Sequence, residues 1–311
     1  MAQDVKIKVS SKSFSKHSIL REEILAVFPN AEFNEALVEF NAKSFAEFVG
    51  DAKGVVVGLE PVTDSVLEQC PDLEFAAKFG VGLDNVDQAA ADKYNVKIGW
   101  TGGVNRRCVA EMALCFMVGL SRHIFFSAGD LRVHNDWTKI GGHDLSNQVV
   151  GIIGVGFIGK DLVQLLKPFG CKVLVNDIID QADYYQANGL IECSKEEIYA
   201  QADIVTVHTP LDDATHGFCN ADVFSQMKES GYFINCARGG LVVQEDLKAA
   251  LKDGAIAGAA IDVFESEPSD DSELVNLPNL ICTPHTGGSS NEAVLAMGRS
   301  AIGHLVDHFG T

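Results

Sequence analysis

A short apolar run, Val149 to Ile153, leads directly into a glycine-rich stretch, and a helical pattern continues from there to Leu166. A strand that passes through closely spaced glycines into a helix is typical of a parallel α/β sheet. The first glycine permits a tight turn, the second lets a pyrophosphate approach the backbone, and the third lets the helix pack on the strand. Free N–H groups at the start of the helix favour a bound phosphate. The stretch therefore predicts a dinucleotide site formed by Gly154, Gly156, Phe157, Ile158 and Gly159.

The next strand-like segment, Lys172 to Asn176, is followed by Asp177, which lies 23 residues after Gly154. A carboxylate at this position accepts hydrogen bonds from the ribose hydroxyls, and its charge repels a 2′-phosphate. We therefore expect NAD rather than NADP, with Asp177 at the adenosine ribose. The alternative is a glycine turn in an ordinary doubly wound sheet, in which Asp177 only caps a strand.

The charge balance limits the partners of this chain. Its 311 residues include 43 Asp and Glu against 24 Lys and Arg, a formal net charge of −19. Such a chain repels polyanions, and no local basic patch offsets this repulsion, so we expect neither a nucleic-acid nor a membrane partner. The sequence begins without an apolar signal segment, and its eight cysteines are scattered without a Cys-x-x-Cys pair. This pattern favours a cytoplasmic protein with buried thiols and no metal site.

Strand-like and helical segments alternate along the chain in two series. The first series precedes residue 100 and the second begins after residue 148, so we expect two α/β units with parallel sheets. The expected strands are Val5 to Val9, Gly54 to Val57, Phe75 to Phe79, Val96 to Ile98, Val149 to Ile153, Lys172 to Val175, Ile204 to Val207, Tyr232 to Asn235, Ala257 to Ile261 and Leu280 to Thr283.

Two helical patterns lie outside this alternation. Apolar residues at helical spacing from about Asn105 to Asp130 predict one long helix between the two series. The pattern Ser289-x-x-Glu292 resembles a capping box and predicts the start of one terminal helix that continues to His308.

Three polar residues follow expected strands of the second series. Arg238, Glu267 and His285 lie where those strands end, and the carboxyl edge of an open α/β sheet is where ligands bind. A guanidinium binds a carboxylate or carbonyl oxygen, an imidazole transfers a proton near neutral pH, and a carboxylate orients the imidazole. Beside a dinucleotide, this set favours hydride chemistry on an anionic substrate.

At these residues the chain resembles the D-2-hydroxyacid dehydrogenase family, in its phosphoglycerate-dehydrogenase-like branch. The resemblance runs over essentially the whole length and is carried by several motifs that occur in order. These are residues 79–87 (Phe-Gly-Val-Gly-Leu-Asp-Asn-Val-Asp), 109–114 (Val-Ala-Glu-Met-Ala-Leu), the glycine turn, 207–211 (Val-His-Thr-Pro-Leu), 237–240 (Ala-Arg-Gly-Gly), 258–264 (Gly-Ala-Ala-Ile-Asp-Val-Phe) and 284–288 (Pro-His-Thr-Gly-Gly).

The resemblance implies two doubly wound parallel-sheet domains: a Rossmann NAD-binding domain over 103–289, and a flavodoxin-like substrate or lid domain over 1–102 plus 290–311. It implies hydride transfer between the nicotinamide and C2 of a 2-hydroxy or 2-oxo acid. Arg238 would bind the substrate and His285 would be the general acid/base. Glu267, which the 29-residue spacing from Arg238 selects over Glu265, would hydrogen-bond His285.

The resemblance also implies further contacts. The cofactor would contact His208, Thr209, Pro210, Cys236, Asp262 and Gly287. The substrate would lie near Lys78, Asn105 and the backbone N–H groups of Val81 and Gly82. A homodimer would form through the region from about Asn105 to Gly142.

One departure concerns the substrate. Phosphoglycerate dehydrogenases typically have an arginine after the strand that matches Gly54 to Val57, whereas here Gly58-Leu59-Glu60 follows. This favours a singly charged oxo acid, although Lys78 could partly replace the missing cation. Two alternatives stay open: a phosphoglycerate dehydrogenase proper, and a dinucleotide-sensing, corepressor-like interaction protein.

Overall fold

The computed structural model describes residues 5–310, which form two compact units. Unit 1 consists of the residues up to Asn105 together with those from Ser289 onward, and unit 2 is Arg106–Gly288. In the described range, the strands are β1 Ile7–Val9, β2 Glu32–Phe33, β3 Gly54–Val57, β4 Phe75–Lys78, β5 Lys97–Gly99, β6 Val149–Ile153, β7 Lys172–Asn176, β8 Ile191–Glu192, β9 Ile204–Val207, β10 Tyr232–Asn235, β11 Gly258–Ile261 and β12 Leu280–Cys282.

The helices of the same range follow in chain order. They are α1 Lys12–Lys16, α2 Ser18–Val27, α3 Ala42–Val49, α4 Asp64–Leu67, α5 Gln88–Lys93, α6 Arg106–Ser121, α7 Ile124–His134, α8 Phe157–Leu166, α9 Ala182–Asn188, α10 Lys195–Gln201, α11 Ala221–Gln226, α12 Gln244–Lys252, α13 Ser272–Val275 and α14 Asn291–Phe309. Short 3₁₀ turns cover Leu145–Asn147, Lys167–Phe169 and Gly239–Leu241.

The sheet of unit 1 is parallel, in the order β2-β1-β3-β4-β5. This is the flavodoxin-like order, in which ligands bind at the carboxyl ends of the strands near the point where the order reverses. Apolar clusters cover both faces of the sheet, so β3 and β4 are buried throughout; β3 is a continuous apolar run, and β4 is apolar up to its last residue, Lys78. The terminal helix α14 completes one of these clusters through Ala301 and Leu305.

The sheet of unit 2 is also parallel, in the order β12-β11-β10-β9-β6-β7-β8. The order reverses at β6, which lies between β9 and β7, and the glycine turn follows this strand directly. Two apolar clusters pack on the opposite faces of this sheet. One includes Phe224 and Phe233, and the other includes Met117 and Ile152. Two parallel sheets with interspersed helices confirm the predicted α/β fold class.

The single long helix expected from about Asn105 to Asp130 is wrong, because the chain breaks after Ser121 and α7 begins at Ile124. In a continuous helix the carbonyl of Ser121 would accept from residue 125, but here it accepts from His143 N at 2.8 Å. His123 at the break is left-handed, with φ 51°. No single helix of residues 5–310 is long and apolar enough to span a membrane; α6 and α7 pass that test only as a pair bent by 65°.

The terminal helix begins one residue later than the expected capping box. Ser290, rather than Ser289, is the N-cap, and its Oγ accepts from Ala293 N at 3.1 Å. The two-residue strands β2 and β8 were not predicted, since two residues have no periodicity of their own.

Candidate active site

The glycine turn after β6 is shaped by backbone contacts. Gly154 has φ 95°, and a Cβ there would lie 2.7 Å from the backbone of His208. A Cβ at Gly159 would lie 2.2 Å from Gly154 O, so α8 packs directly on the turn. A Cβ at Gly156 would meet no described atom within 4 Å. Packing therefore requires the first and third glycines, whereas at the second the open space fits the close approach of a pyrophosphate.

Asp177 connects the end of β7 to this turn. Its Oδ2 accepts from Val155 N at 2.6 Å, and its Oδ1 accepts from Ile179 N at 2.9 Å. The carboxylate is half-buried, and each oxygen has lone pairs beyond those used by the backbone. It can therefore hold the turn in place and still accept hydrogen bonds from a ribose.

Two polar groups after β9 are buried without a partner. Neither His208 Nδ1 nor Thr209 Oγ1 has a hydrogen-bond partner in the described residues, and the backbone of both residues lies against Gly154. Burial lowers the pKa of His208 to about 4, so its imidazole is neutral, and its Nε2 lies 3.0 Å from Thr206 Oγ1. Buried polar groups beside the glycine turn fit a polar ligand there. The buried polar groups of His208 and Thr209 therefore suit a bound dinucleotide. The neighbouring Pro210 is exposed.

The three polar residues of the second series lie beyond one edge of the sheet of unit 2. β10, β11 and β12 are neighbours, and Asn235, Ile261 and Cys282 lie side by side in register at their carboxyl ends. Arg238 follows β10, Glu267 follows β11 and His285 follows β12. Neighbouring parallel strands thus direct three separate chain segments to the same edge.

His285 and Glu267 are in direct contact. His285 Nδ1 lies 2.6 Å from Glu267 Oε2, and Glu267 Oε1 accepts from Phe264 N at 3.0 Å. The two side chains are 48% and 36% exposed, so the pair remains open to a ligand. Since Glu267 occupies Nδ1, the imidazole has Nε2 available for proton transfer.

Asp262 holds the segment that presents His285. Its side chain is 1% exposed, and it accepts from Thr283 Oγ1 at 2.5 Å, Thr286 N at 2.8 Å and Gly287 N at 2.7 Å. Its own carbonyl accepts from His285 N at 2.8 Å, in a turn where His285 has φ 51°. The described contacts of this carboxylate are therefore with the chain itself, and they fix the position of the imidazole.

Arg238 lies in a turn made by the last residue of β10. Asn235 Oδ1 accepts from Ala237 N at 3.0 Å, and Asn235 Nδ2 donates to Arg238 O at 2.8 Å. The guanidinium donates through Nη1 to Ala237 O at 2.7 Å. A Cβ at Gly239 would lie 1.9 Å from Phe264 O, so the turn packs on the backbone that also holds Glu267. The backbone of Phe264 thus supports both the Arg238 turn and, through Glu267, the His285–Glu267 pair.

Cys236 lies in the same turn and is 6% exposed. Burial, together with the nearby Asp262, raises the pKa of its thiol above the ordinary range. The thiol is neutral and acts as a small apolar group, which suits a position beside a cofactor ring better than a nucleophile.

The expected substrate residues of unit 1 differ in their surroundings. Lys78 is 4% exposed, and its ammonium donates to Gly58 O and, at 2.6 Å, to Asn85 Oδ1. The backbone N–H groups of Val81 and Gly82 have no hydrogen-bond partner in the described chain. Asn105 is 8% exposed, and its Oδ1 has no hydrogen-bond partner among residues 5–310.

Several residues that hold this site were not predicted from the sequence. Asn235, Thr283 and Thr286 support the turns described above. Asn85 accepts from Lys78, and Glu60 accepts from Gly58, whose carbonyl also accepts from Lys78. Asn and Asp at strand ends are the usual signal for such turns, and that signal is present at Asn235, the last residue of β10, and at Asp262, the first residue after β11. No pattern in the sequence indicates the partners of Lys78, because they come from two separate loops.

Comparison with known proteins defines the class. Residues 114–287 match the family model for the NAD binding domain of D-isomer specific 2-hydroxyacid dehydrogenases. YoaD of Bacillus subtilis, a protein named as a 2-hydroxyacid dehydrogenase, is 35% identical over 78% of this chain and 72% of its own length. A D-3-phosphoglycerate dehydrogenase of Bacillus subtilis is 36% identical over 75% of this chain and 45% of its own length. The pyruvate reductase of Chlamydomonas reinhardtii superimposes with a TM-score of 0.85 at 25% identity, covering 99% of this chain and 97% of that structure.

The chain belongs to the D-isomer specific 2-hydroxyacid dehydrogenase family, a class of NAD-dependent oxidoreductases, and NAD is the cofactor of this class. The family, the enzyme class and the cofactor predicted from the sequence are thereby confirmed. The chain spans about half the length of the curated phosphoglycerate dehydrogenases that it matches.

If Asp177 binds the ribose as the sequence predicts, replacing it with alanine should weaken NAD binding by about tenfold or more, because its charged hydrogen bonds to the ribose and its bond to Val155 N would both be lost. The same variant should narrow the preference for NAD over NADP, since the repulsion of a 2′-phosphate is removed. Calorimetric titration with both cofactors measures the two effects.

Asp180→Ala is the matched control for this experiment. Asp180 is an exposed acid three residues further on, and its carboxylate accepts a local bond from Ala182 N at 3.1 Å. The control should retain wild-type affinity for NAD. An unchanged dissociation constant in Asp177→Ala would remove Asp177 from the cofactor site.

Proposed function

We propose that this chain reduces a small 2-oxo acid that has a single negative charge, or oxidises the corresponding D-2-hydroxy acid, with NAD. The observation that supports this most directly is the His285–Glu267 pair, which lies beyond the strand ends of the sheet that carries the glycine turn. A charge-supported imidazole is the group that carbonyl reduction needs, since the oxygen of the oxo acid must gain a proton.

We assign the roles as follows. When bound, NADH supplies the hydride to C2. His285 protonates the carbonyl oxygen through Nε2, and Glu267 holds the ring by Nδ1. Arg238 binds the carboxylate and the carbonyl oxygen of the substrate through its planar guanidinium. Asp262 positions the His285 segment, and we retain it as a candidate contact of the nicotinamide carboxamide.

We assign substrate binding in unit 1 to Val81 and Gly82, with Asn105 as a further contact. The backbone N–H groups of Val81 and Gly82, which have no partner in the described chain, suit a carboxylate, which is a strong acceptor. Lys78 takes part indirectly, because its ammonium already binds Gly58 O and Asn85 Oδ1 and supports the loop after β3.

The surroundings of Lys78 favour a substrate without a phosphate. Glu60 is 8% exposed in the same loop, and its Oε2 accepts from Gly58 N at 2.6 Å. A cation that is buried and hydrogen-bonded, next to a loop with a buried acid, is a poor receptor for a phosphate dianion. Gly58, where phosphoglycerate dehydrogenases typically have an arginine, lies against Ser11, whose Oγ is 3.1 Å from the position of a Cβ.

We also retain the homodimer as a proposal. In this chain none of the side chains of α7 is buried, although Phe125, Leu131 and Val133 are apolar and between 40% and 67% exposed. Exposed apolar residues grouped on one helix are typical of an interface, and a second copy of the chain is the partner that the resemblance implies. The molar mass in solution tests this proposal.

A panel of 2-oxo acids tests the function. Purified protein and NADH are mixed with glyoxylate, hydroxypyruvate, phenylpyruvate or 3-phosphohydroxypyruvate, and NADH oxidation is followed against a His285→Ala control. At least one unphosphorylated acid should exceed the phosphate ester by about tenfold or more in kcat/KM, the scale of one charge-assisted hydrogen bond.

The other outcomes discriminate the alternatives. Turnover of the phosphate ester alone would identify a phosphoglycerate dehydrogenase. If no acid is turned over faster than by the control, the dinucleotide-sensing interaction protein becomes the better hypothesis.

A further inference from the structure

The segment after β5 contains one of the two tryptophans of the chain, and its indole makes a single well-defined bond. Trp100 Nε1 donates to Val81 O at 2.9 Å, while the side chain remains 39% exposed. The following residue, Thr101, is tied to α14, since its Oγ1 lies 2.8 Å from His304 Nε2 and accepts from Ser300 Oγ at 2.9 Å. The indole therefore starts from a fixed segment and reaches into the loop after β4.

The carbonyl that Trp100 binds belongs to the same peptide group as the N–H of Gly82. Within residues 5–310 the only cis peptide is Glu267–Pro268, so the Val81–Gly82 peptide is trans. In a planar trans peptide the C=O and the N–H point in opposite directions. An indole that holds Val81 O on one side consequently fixes Gly82 N–H on the other.

This loop needs such an anchor. Val81 lies between Gly80, which has φ 138°, and Gly82, and glycine allows backbone rotations that other residues resist. The Val81–Gly82 peptide turns over by rotation about ψ of Val81 and φ of Gly82, and the missing Cβ of Gly82 lowers the steric cost of that rotation. Such a turn would exchange an N–H donor for a carbonyl oxygen. A carbonyl oxygen facing a carboxylate would repel it.

We propose that Trp100 is a positioning residue that directs Gly82 N–H at the substrate carboxylate. The proposal rests on the function proposed above, in which Val81 and Gly82 bind that carboxylate. Trp100 acts through the Val81–Gly82 peptide and needs no contact with the reacting atoms.

Replacing Trp100 with phenylalanine tests the role of the indole N–H, because the apolar ring is largely retained while the donor is removed. KM for the oxo acid should rise about three- to tenfold, the usual scale of one neutral hydrogen bond. KM for NADH and kcat should stay within about twofold, since neither the cofactor residues nor His285 depends on this peptide. A merely structural role of Trp100 would not separate the oxo-acid KM from these other parameters.

The other tryptophan supplies the matched control. Trp137 is 76% exposed, and its Nε1 donates to Asn135 Oδ1, a local bond far in sequence from the Val81 loop. Because Trp137 lies in the segment from about Asn105 to Gly142 that the resemblance places at a homodimer interface, the molar mass of Trp137→Phe in solution is first compared with that of the wild type. With an unchanged molar mass, Trp137→Phe should leave the oxo-acid KM at the wild-type value. An equal rise in both variants would overturn the proposal.

The same control variant gives a direct binding measurement. In Trp137→Phe, Trp100 is the sole tryptophan. Fluorescence excited at the long-wavelength edge of tryptophan absorption therefore reports on the environment of the Trp100 indole. At fixed saturating NADH, oxamate should change this emission in a saturable way, with a dissociation constant equal to its inhibition constant. This measurement leaves Trp100 unaltered, so it remains decisive if Trp100→Phe fails to fold.

The outcomes separate this inference from the function on which it rests. If the wild type reduces no 2-oxo acid, the proposed function fails. If the wild type is active but Trp100→Phe keeps the wild-type KM, or if oxamate inhibits without changing the emission of Trp100, the function stands and the role of Trp100 is refuted.

Discussion

Replacing His285 with alanine should lower kcat by at least ~100-fold, because the carbonyl oxygen then loses its proton donor. The geometry makes this histidine the strongest candidate. Its Nδ1 lies 2.6 Å from Glu267 Oε2, its backbone is fixed by Asp262, and its side chain is 48% exposed. His208, by contrast, is buried, and its pKa is lowered to about 4, so it suits packing beside the cofactor better than proton transfer.

Steady-state kinetics with the best oxo acid of the panel measures the loss, and two controls define its origin. The dissociation constant of NADH should be unchanged in His285→Ala, since the glycine turn and Asp177 are intact. Glu267→Gln should slow the wild type but add little in the His285→Ala background, because both side chains act through one imidazole. Near-wild-type turnover in His285→Ala would assign proton transfer to another group.

The strands of unit 2 could be read from the sequence almost to the residue. β6, β9 and β10 coincide with the expected segments because a parallel strand covered on both faces is a continuous apolar run bounded by polar residues. Each strand end then indicates where a ligand-binding segment begins. For this reason the sequence predicts Arg238, Glu267 and His285 as candidate site residues.

Features that depend on distant residues could not be read in the same way. At the break after Ser121, the carbonyl that a continuous helix would use accepts instead from His143, twenty-two residues later. The cap at Ser290 rather than Ser289 is a choice between two adjacent serines that no local pattern decides.

The same limit applies to the candidate site. The carboxylate of Asp262 is held by a segment that follows a different strand, and the bond from Trp100 to Val81 O joins loops nineteen residues apart. Sequence patterns identify which residues end at a sheet edge, whereas their hydrogen bonds require the folded loops.

Replacing Arg238 with lysine should lower kcat/KM by about 10- to 100-fold, although the positive charge is kept. A lysine ammonium is a point donor, whereas guanidinium can bind a carboxylate and a carbonyl oxygen in one plane. Losing one charge-assisted hydrogen bond of about 1.5–3 kcal/mol accounts for this range. In addition, Arg238 Nη1 donates to Ala237 O, and this bond orients the guanidinium in its turn.

A comparison of the loss of kcat/KM among different 2-oxo acids tests the role of Arg238 more sharply. Every 2-oxo acid shares the carboxylate and the carbonyl group, so Arg238→Lys should reduce kcat/KM by a similar factor for glyoxylate, hydroxypyruvate and phenylpyruvate. Arg122→Lys, which alters an exposed arginine 3.8 Å from Asp144, should change none of them. A loss confined to one oxo acid would mean that Arg238 contacts the variable part of the substrate, and the binding mode proposed above would have to be reversed.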